Sequence, residues 1–178
     1  ATAQSLIGDA KWHLGGFTYG SDMIAATMYT KERGTTVWGS TSGQTCEDAA
    51  CPRATTWIGK VALAYPSDYV FAIGGEKRNT CLRTSLNDYY ENPEYDCKYN
   101  IWLIPKEQDS CYWLLSPSTN NAYEEFNFCT SSWMYIGIGL GKGIYDDFNI
   151  TAVPAIYLKS EAKITGGNGT ISSPYVIE

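Results

Sequence analysis

Cys111-Tyr-Trp-Leu-Leu-Ser-Pro117 opens, and Ala152-Val-Pro-Ala-Ile-Tyr-Leu158 closes, the stretch on which the reading of this 178-residue chain turns. Both runs have the apolar density of buried strands. Between them stand Tyr123, Phe126, Phe128, Trp133, Tyr135, Tyr145 and Phe148, interleaved with Asn120, Asn121, Asn127, Asn149, serines and glycines. Tyr and Trp offer large contact area at low entropy cost, while Ser, Asn and Gly offer adaptable hydrogen bonding. The mixture predicts a binding surface, Ser118 to Asn149, carried between two frame strands. Its predicted contact residues are Tyr123, Asn127, Trp133, Tyr135, Tyr145, Asp147, Phe148 and Asn149. Trp113, Leu115, Phe128 and Ile156 are predicted to be core.

Working outward, Cys111 to Leu115 and Phe126 to Cys129 each show period two, and a Cys111–Cys129 bridge would lock them as a hairpin. Ile136, Ile138 and Leu140 alternate with Gly137, Gly139 and Gly141, which predicts a strand with bare backbone on one face. Upstream, Trp57 to Tyr65 alternates as a covered strand does. Pro66-Ser67-Asp68 is a helix start, and Gly74-Gly75 stops that helix. At the beginning, Leu6, Ile7 and Ala10 share a helical face, with Thr2 as cap and Gly15-Gly16 as the end. Residues 17–38 read as irregular to extended, 39–56 as a polar loop and 76–100 as a Tyr-rich, turn-rich segment. The tail reads as a turn at 166–169 and a last edge strand at 173–177. The fold class expected is α+β in one domain over residues 1–178. Two helices, around 3–14 and 67–73, pack on a twisted, mostly antiparallel sheet with long disulfide-pinned loops.

Composition narrows the function. Charged residues make up 18% of the chain, with 14 Tyr and 17 Gly, which favours strands and ordered loops over helical bundles. The net charge is −6, from 13 Lys and Arg against 19 Asp and Glu, and no basic stripe exists, so nucleic acid is not expected as a partner. Six cysteines with no C-x-x-C pair and a single His point to disulfides rather than zinc, and to an oxidising compartment. Sequential pairing, Cys46–Cys51, Cys81–Cys97 and Cys111–Cys129, is one of the connectivities six cysteines allow. The middle loop alone would restrict the unfolded chain by roughly 3 kcal/mol. No apolar run reaches about 18 residues, so a membrane contact would come only through an anchor outside this sequence.

Catalytic readings find little support. His13 beside Trp12 has no oriented partner and no G-x-S-x-G elbow to serve, so it is expected to be structural. Gly137-Ile-Gly-Leu-Gly-Lys-Gly143 lacks the first glycine and the Ser or Thr of a phosphate loop. Glu47-Asp48, Glu124-Glu125 and Asp146-Asp147 could supply oxygens to calcium, but adjacent carboxylates on a strand face opposite ways, and no cofactor or metal is expected. Glu91-Asn92-Pro93 reverses the lectin calcium tripeptide. Asn149-Ile-Thr151 and Asn168-Gly-Thr170 match the glycosylation sequon, relevant only in a eukaryotic secretory pathway.

Five strings carry a resemblance: Leu6-Ile-Gly-Asp-Ala-Lys-Trp-His-Leu-Gly-Gly16, Lys31-Glu-Arg-Gly-Thr-Thr36, Thr56-Trp-Ile-Gly-Lys-Val-Ala-Leu-Ala-Tyr-Pro-Ser-Asp-Tyr69, Trp113-Leu-Leu-Ser-Pro117 and Tyr157-Leu-Lys-Ser-Glu-Ala-Lys-Ile-Thr-Gly-Gly-Asn-Gly-Thr170. Together they resemble C-type-lectin-like surface domains of gut Firmicutes, often attached to prepilin-type helices. The frames are also similar to those of variable proteins diversified by retroelements. The resemblance implies a C-type-lectin-like fold and a bacterial cell-surface or type IV pilus location. It implies a non-catalytic, adhesin-like module whose ligand is a host protein or glycan. The rival expectation is a structural pilin-type subunit whose aromatics mediate assembly. Val153 stands where such variable proteins carry Arg before the frame proline, so a buried Arg–carboxylate pair is not expected there.

Overall fold

A computed structural model describes residues 3–35, 55–86, 97, 100–103, 111–119, 124–129, 135–140, 150–170 and 172–178. Of these, the side chains at 3, 124, 125, 129 and 135–140 lie outside the description. The architecture is α+β, with short helices beside small sheets.

The largest sheet is built from the frame stretch. Strands β4 (Cys111–Pro117), β5 (Glu124–Cys129), β6 (Tyr135–Leu140) and β7 (Ile150–Thr151) lie in the order β6-β5-β4-β7. The expected hairpin forms in the expected register, Cys111 opposite Cys129 and Tyr112 opposite Phe128. Cys111 is disulfide-bonded. The glycine-alternating run pairs along its length with β5, Phe126 opposite Ile138 and Asn127 opposite Gly137. Strand β7 runs parallel to the start of β4, Cys111 opposite Ile150.

The core lies between this sheet and two helices. Helix α3 (Pro66–Phe71) begins where the Pro-Ser-Asp signal predicts, and the Asp68 carboxylate accepts the Tyr65 N–H at 2.9 Å. Its Tyr69 ring stacks on Phe128 at 4.8 Å between centroids, and Phe17 stacks on Phe126 at 4.1 Å. Met23, Met28, Val70, Ile73, Ile101 and Leu114 complete the buried cluster. Disulfide-bonded Cys81 and Cys97, with Cα atoms 5.6 Å apart, join the same cluster, as the sequential pairing predicts. Cys81 ends a short helix, α4 (Arg78–Cys81), within the segment read as turns.

Helix α2 (Ala25–Glu32) falls where the sequence reads as irregular. Its buried positions Ala25, Met28 and Glu32 have helical spacing, but the last is a carboxylate, so hydrophobic periodicity alone hides the face. The helix predicted over 3–14 is corrected in the other direction. Helix α1 (Ala3–Leu6) stops at Leu6, and β1 (Ala10–His13) pairs antiparallel with β2 (Thr56–Gly59), Trp12 opposite Trp57. The reason is tertiary: Trp12 is buried and its indole N–H donates to the Gly59 carbonyl at 2.9 Å, outweighing a weak helical preference. Gly15 and Gly16 are therefore not a helix stop. A Cβ at Gly15 would run into the Lys31 carbonyl, and one at Gly16 into the Pro117 carbonyl, so both permit close backbone approach.

The predicted strand from Trp57 to Tyr65 divides at Lys60. Its first half is β2, and β3 (Val61–Leu63) turns to a different partner, β8 (Pro154–Ile156), with Val61 opposite Ile156. The expectation of a buried strand at 152–158 is overturned. Val153, Ile156, Tyr157 and Leu158 are all exposed, Ile156 at 45%. A two-stranded ribbon with its outer face uncovered cannot bury those side chains, so Ile156 is not core. Trp113 and Leu115 are only half-buried, while Phe128 is core as expected. The tail forms its predicted turn and strand: β9 (Ile164–Gly166) pairs antiparallel with β10 (Val176–Ile177). Gly167 and Gly169, at φ +78 and +80, make the turn in the left-handed region that glycine tolerates.

Candidate functional site

The predicted display segment leaves and rejoins one rigid sheet. β4 leads into it, β5 and β6 lie within it, and β7 returns it parallel to β4. Its first residues are locked down. Ser118 and Thr119 are buried, Thr119 N–H donates to the Phe17 carbonyl at 3.0 Å, and the Thr18 and Thr119 hydroxyls lie 2.9 Å apart. They extend the frame by two residues beyond Pro117, so display cannot begin at Ser118.

Among the predicted contact residues, Asn127 sits mid-strand in β5, opposite Trp113 on one side and Gly137 on the other, and is 3% exposed. That corrects its assignment to a displayed surface: the alternation that buries Phe126 and Phe128 leaves the intervening residue covered as well. Tyr135 begins β6 opposite Cys129. Tyr123, Trp133, Tyr145, Asp147, Phe148 and Asn149 lie outside the described residues, as do Cys46, Cys51 and the acidic pairs at 47–48 and 146–147.

A polar joint that the sequence did not reveal lies between α2 and α3. Glu32 is wholly buried, and its Oε1 accepts the Ser67 N–H at 2.9 Å while Oε2 accepts the Ser67 hydroxyl. Arg33 Nη1 donates to the same carboxylate at 3.1 Å. Burial pushes the Glu32 carboxyl up to about 7, against the Ser67 hydrogen bonds and the Arg33 charge, which pull it down. Burial likewise raises Asp68, opposed by the Tyr65 N–H and Arg33, and raises the Tyr65 phenol. Burial, then Tyr112 and Asp68, hold the Tyr69 phenol up to about 12. Tyr65 ties the joint to β1: its O–H donates to the His13 carbonyl at 3.0 Å and accepts the His13 N–H at 2.7 Å. His13 thus contributes its main chain here, as a structural residue. Glu32 has no solvent exposure, and Ser67 and Arg33 occupy its carboxylate oxygens, so the three residues join α2 to α3. The signal that could have found this joint was a Glu four residues after Met28 and seven after Ala25, in helical step with both.

Two of the open apolar surfaces among the described residues adjoin these elements. Along the β3–β8 ribbon, Val61 (44% exposed) faces Ile156, with Tyr157 and Leu158 continuing the chain and Trp57 and Ile58 on neighbouring β2. At the α2–α3 corner, Tyr29 meets Phe71 edge to face at 5.8 Å. Among the described residues no three His, Cys, Asp or Glu side chains converge on a metal position, and no helix is long and apolar enough to cross a membrane.

Compared with family models, with curated proteins and with solved structures, the chain matches none.

Proposed function

We propose that this chain is an extracellular, non-catalytic ligand-binding module of C-type-lectin-like architecture, adhesin-like, that displays an aromatic and amide-rich segment from a rigid sheet. The observation that carries the reading is that both ends of the segment are fixed to one core-anchored sheet: it leaves from the Pro117 end of β4 and returns in β7 beside Cys111, at the other end of that strand. Binding loops held by a rigid scaffold lose little entropy on engaging a ligand. The displayed set is Tyr123, Trp133, Tyr135, Tyr145, Asp147, Phe148 and Asn149, with Asn127 withdrawn to the sheet interior. Its ligand is a host protein or glycan, and its setting a bacterial surface or pilus reached through an anchor outside these residues. A template copy of 111–158 beside a reverse transcriptase gene would support retroelement diversification of the segment. Alanine replacement of Trp133, Tyr135 and Tyr145 is the direct test, read against glycan and host-protein arrays. Unchanged binding by that variant would sink the proposal.

A second reading, a pilin-type structural subunit, is favoured by the exposed ribbon of Val61, Ile156, Tyr157 and Leu158. Contiguous exposed apolar surface commonly marks an association face. That reading predicts concentration-dependent self-association in sedimentation, abolished by Ile156→Lys.

A further inference from the structure

Arg33 is held more firmly than a surface arginine ordinarily is. Its guanidinium carbon lies 3.6 Å from the Tyr29 ring centroid and 4.6 Å from that of Tyr65. Nη1 donates to Glu32 at 3.1 Å and to the Tyr29 carbonyl at 3.3 Å. Those contacts fix the plane of the group and leave Nε and Nη2 without an acceptor among the described residues, on a side chain that is 24% exposed. The rotamer freedom that a flexible arginine would lose on binding has already been given up in folding.

We propose that Arg33 is the fork of a carboxylate-binding site at the α2–α3 corner, taking the carboxylate of an acidic sugar. Nε and Nη2 together match the two oxygens of a carboxylate, the geometry in which arginine recognition is strongest. The adjoining wall is apolar and open: Tyr29 is 45% and Phe71 37% exposed. A second cation, Arg78, flanks it, with Nη2 donating to the Phe71 carbonyl at 3.3 Å. A sugar ring can lie on such a wall while its carboxylate engages the fork, as neither a bare anion nor a neutral sugar can. The net charge of −6 opposes a polyanion such as an acidic peptide, whereas one carboxylate on a ring brings little repulsion. The site is independent of the display proposal, because Tyr29, Arg33, Phe71 and Arg78 all lie outside the frame stretch.

The test follows the arginine side-chain Nε–H resonances of the intact chain by NMR during titration with glucuronate, acetate, glutamate and glucose. The site predicts a saturable shift of the Arg33 resonance with glucuronate, at concentrations at least about tenfold below those needed with acetate or glutamate, and none with glucose. Arg33→Lys lacks the reporting resonance, so its glucuronate binding is read by calorimetry beside the native chain and should be abolished, while Phe71→Ala, read by the Arg33 resonance, should need several-fold more glucuronate. Phe71→Ala is the control should the lysine variant fail to fold. An equal response to acetate would mean an adventitious ion only, an equal response to glutamate an acidic-peptide site, and a still resonance no site. Each of these overturns the proposal and leaves the reading of the β4–β7 segment untouched.

Discussion

Glu32 offers the sharpest perturbation. Two forces compete at its carboxylate. Complete burial favours the neutral acid, while the Ser67 N–H, the Ser67 hydroxyl and Arg33 favour the ion, and the charge of Asp68, next to Ser67 on α3, opposes it. Burial wins, placing the folded-state pKa at about 7 against 4.5 for a free side chain. The folded protein therefore holds a proton that the unfolded chain releases between those values. The stabilisation is fully present below pH 4.5 and is lost as pH rises through about 7. At about 1.4 kcal/mol per unit, the difference is worth about 3 kcal/mol between pH 4.5 and pH 8. Asp68, also raised, adds to the trend in the same direction. The assay is urea unfolding at intervals from pH 4.5 to 8, on the native chain and on Glu32→Gln. The amide keeps the volume, an oxygen for the Ser67 N–H and a donor for the Ser67 hydroxyl. The variant should show most of the slope removed and stability at pH 8 at or above that of the native chain. If the native chain instead gains stability from pH 5 to 8, hydrogen bonding has beaten burial and the reasoning is refuted. A Glu32→Gln variant with an unaltered slope would refute it as well.

Phe126→Ala should cost about 3–5 kcal/mol in denaturant unfolding, because the ring is fully buried and stacked on Phe17. Replacing Cys81 and Cys97 together by Ser should lower stability by roughly 3 kcal/mol, visible as a lowered Tm, since the bridge sits inside the core cluster. Ser116→Ala should be neutral or stabilising by up to about 1 kcal/mol, because the Ser116 hydroxyl is buried with no hydrogen-bond partner among the described residues. A marked loss in that variant would reveal a partner that the hydroxyl depends on.

The parts of the fold that were legible are those in which local chemistry and tertiary packing agree. Pro66 and Asp68 start α3 by restricting one backbone angle and accepting one N–H, and neither act needs a distant residue. The alternation of β4 and β5 is legible because Leu114, Phe126 and Phe128 meet a common core. Elsewhere distant partners decided. Trp12 is extended because Gly59 accepts its indole N–H, and α2 is obscured because its inward face carries Glu32, which only Ser67 and Arg33 make tolerable. Ile156 reads as core because Val153, Ala155, Tyr157 and Leu158 surround it in sequence, yet its ribbon partner Val61 is as exposed as it is. The site divides along the same line. Composition marked the 118–149 segment as display, but the burial of Ser118, Thr119 and Asn127 depends on Phe17, Thr18 and the sheet pairing.

The central claim is that frame and display are separable. Replacing residues 130–134 and 141–149 by Gly-Ser runs of equal length, and comparing Tm and array binding with the native chain, tests it most directly. The account predicts a Tm within a few degrees of the native value, because the cluster around Phe126, Phe128 and Tyr69 is untouched, together with loss of glycan or protein binding. Binding retained by the replaced chain would contradict it.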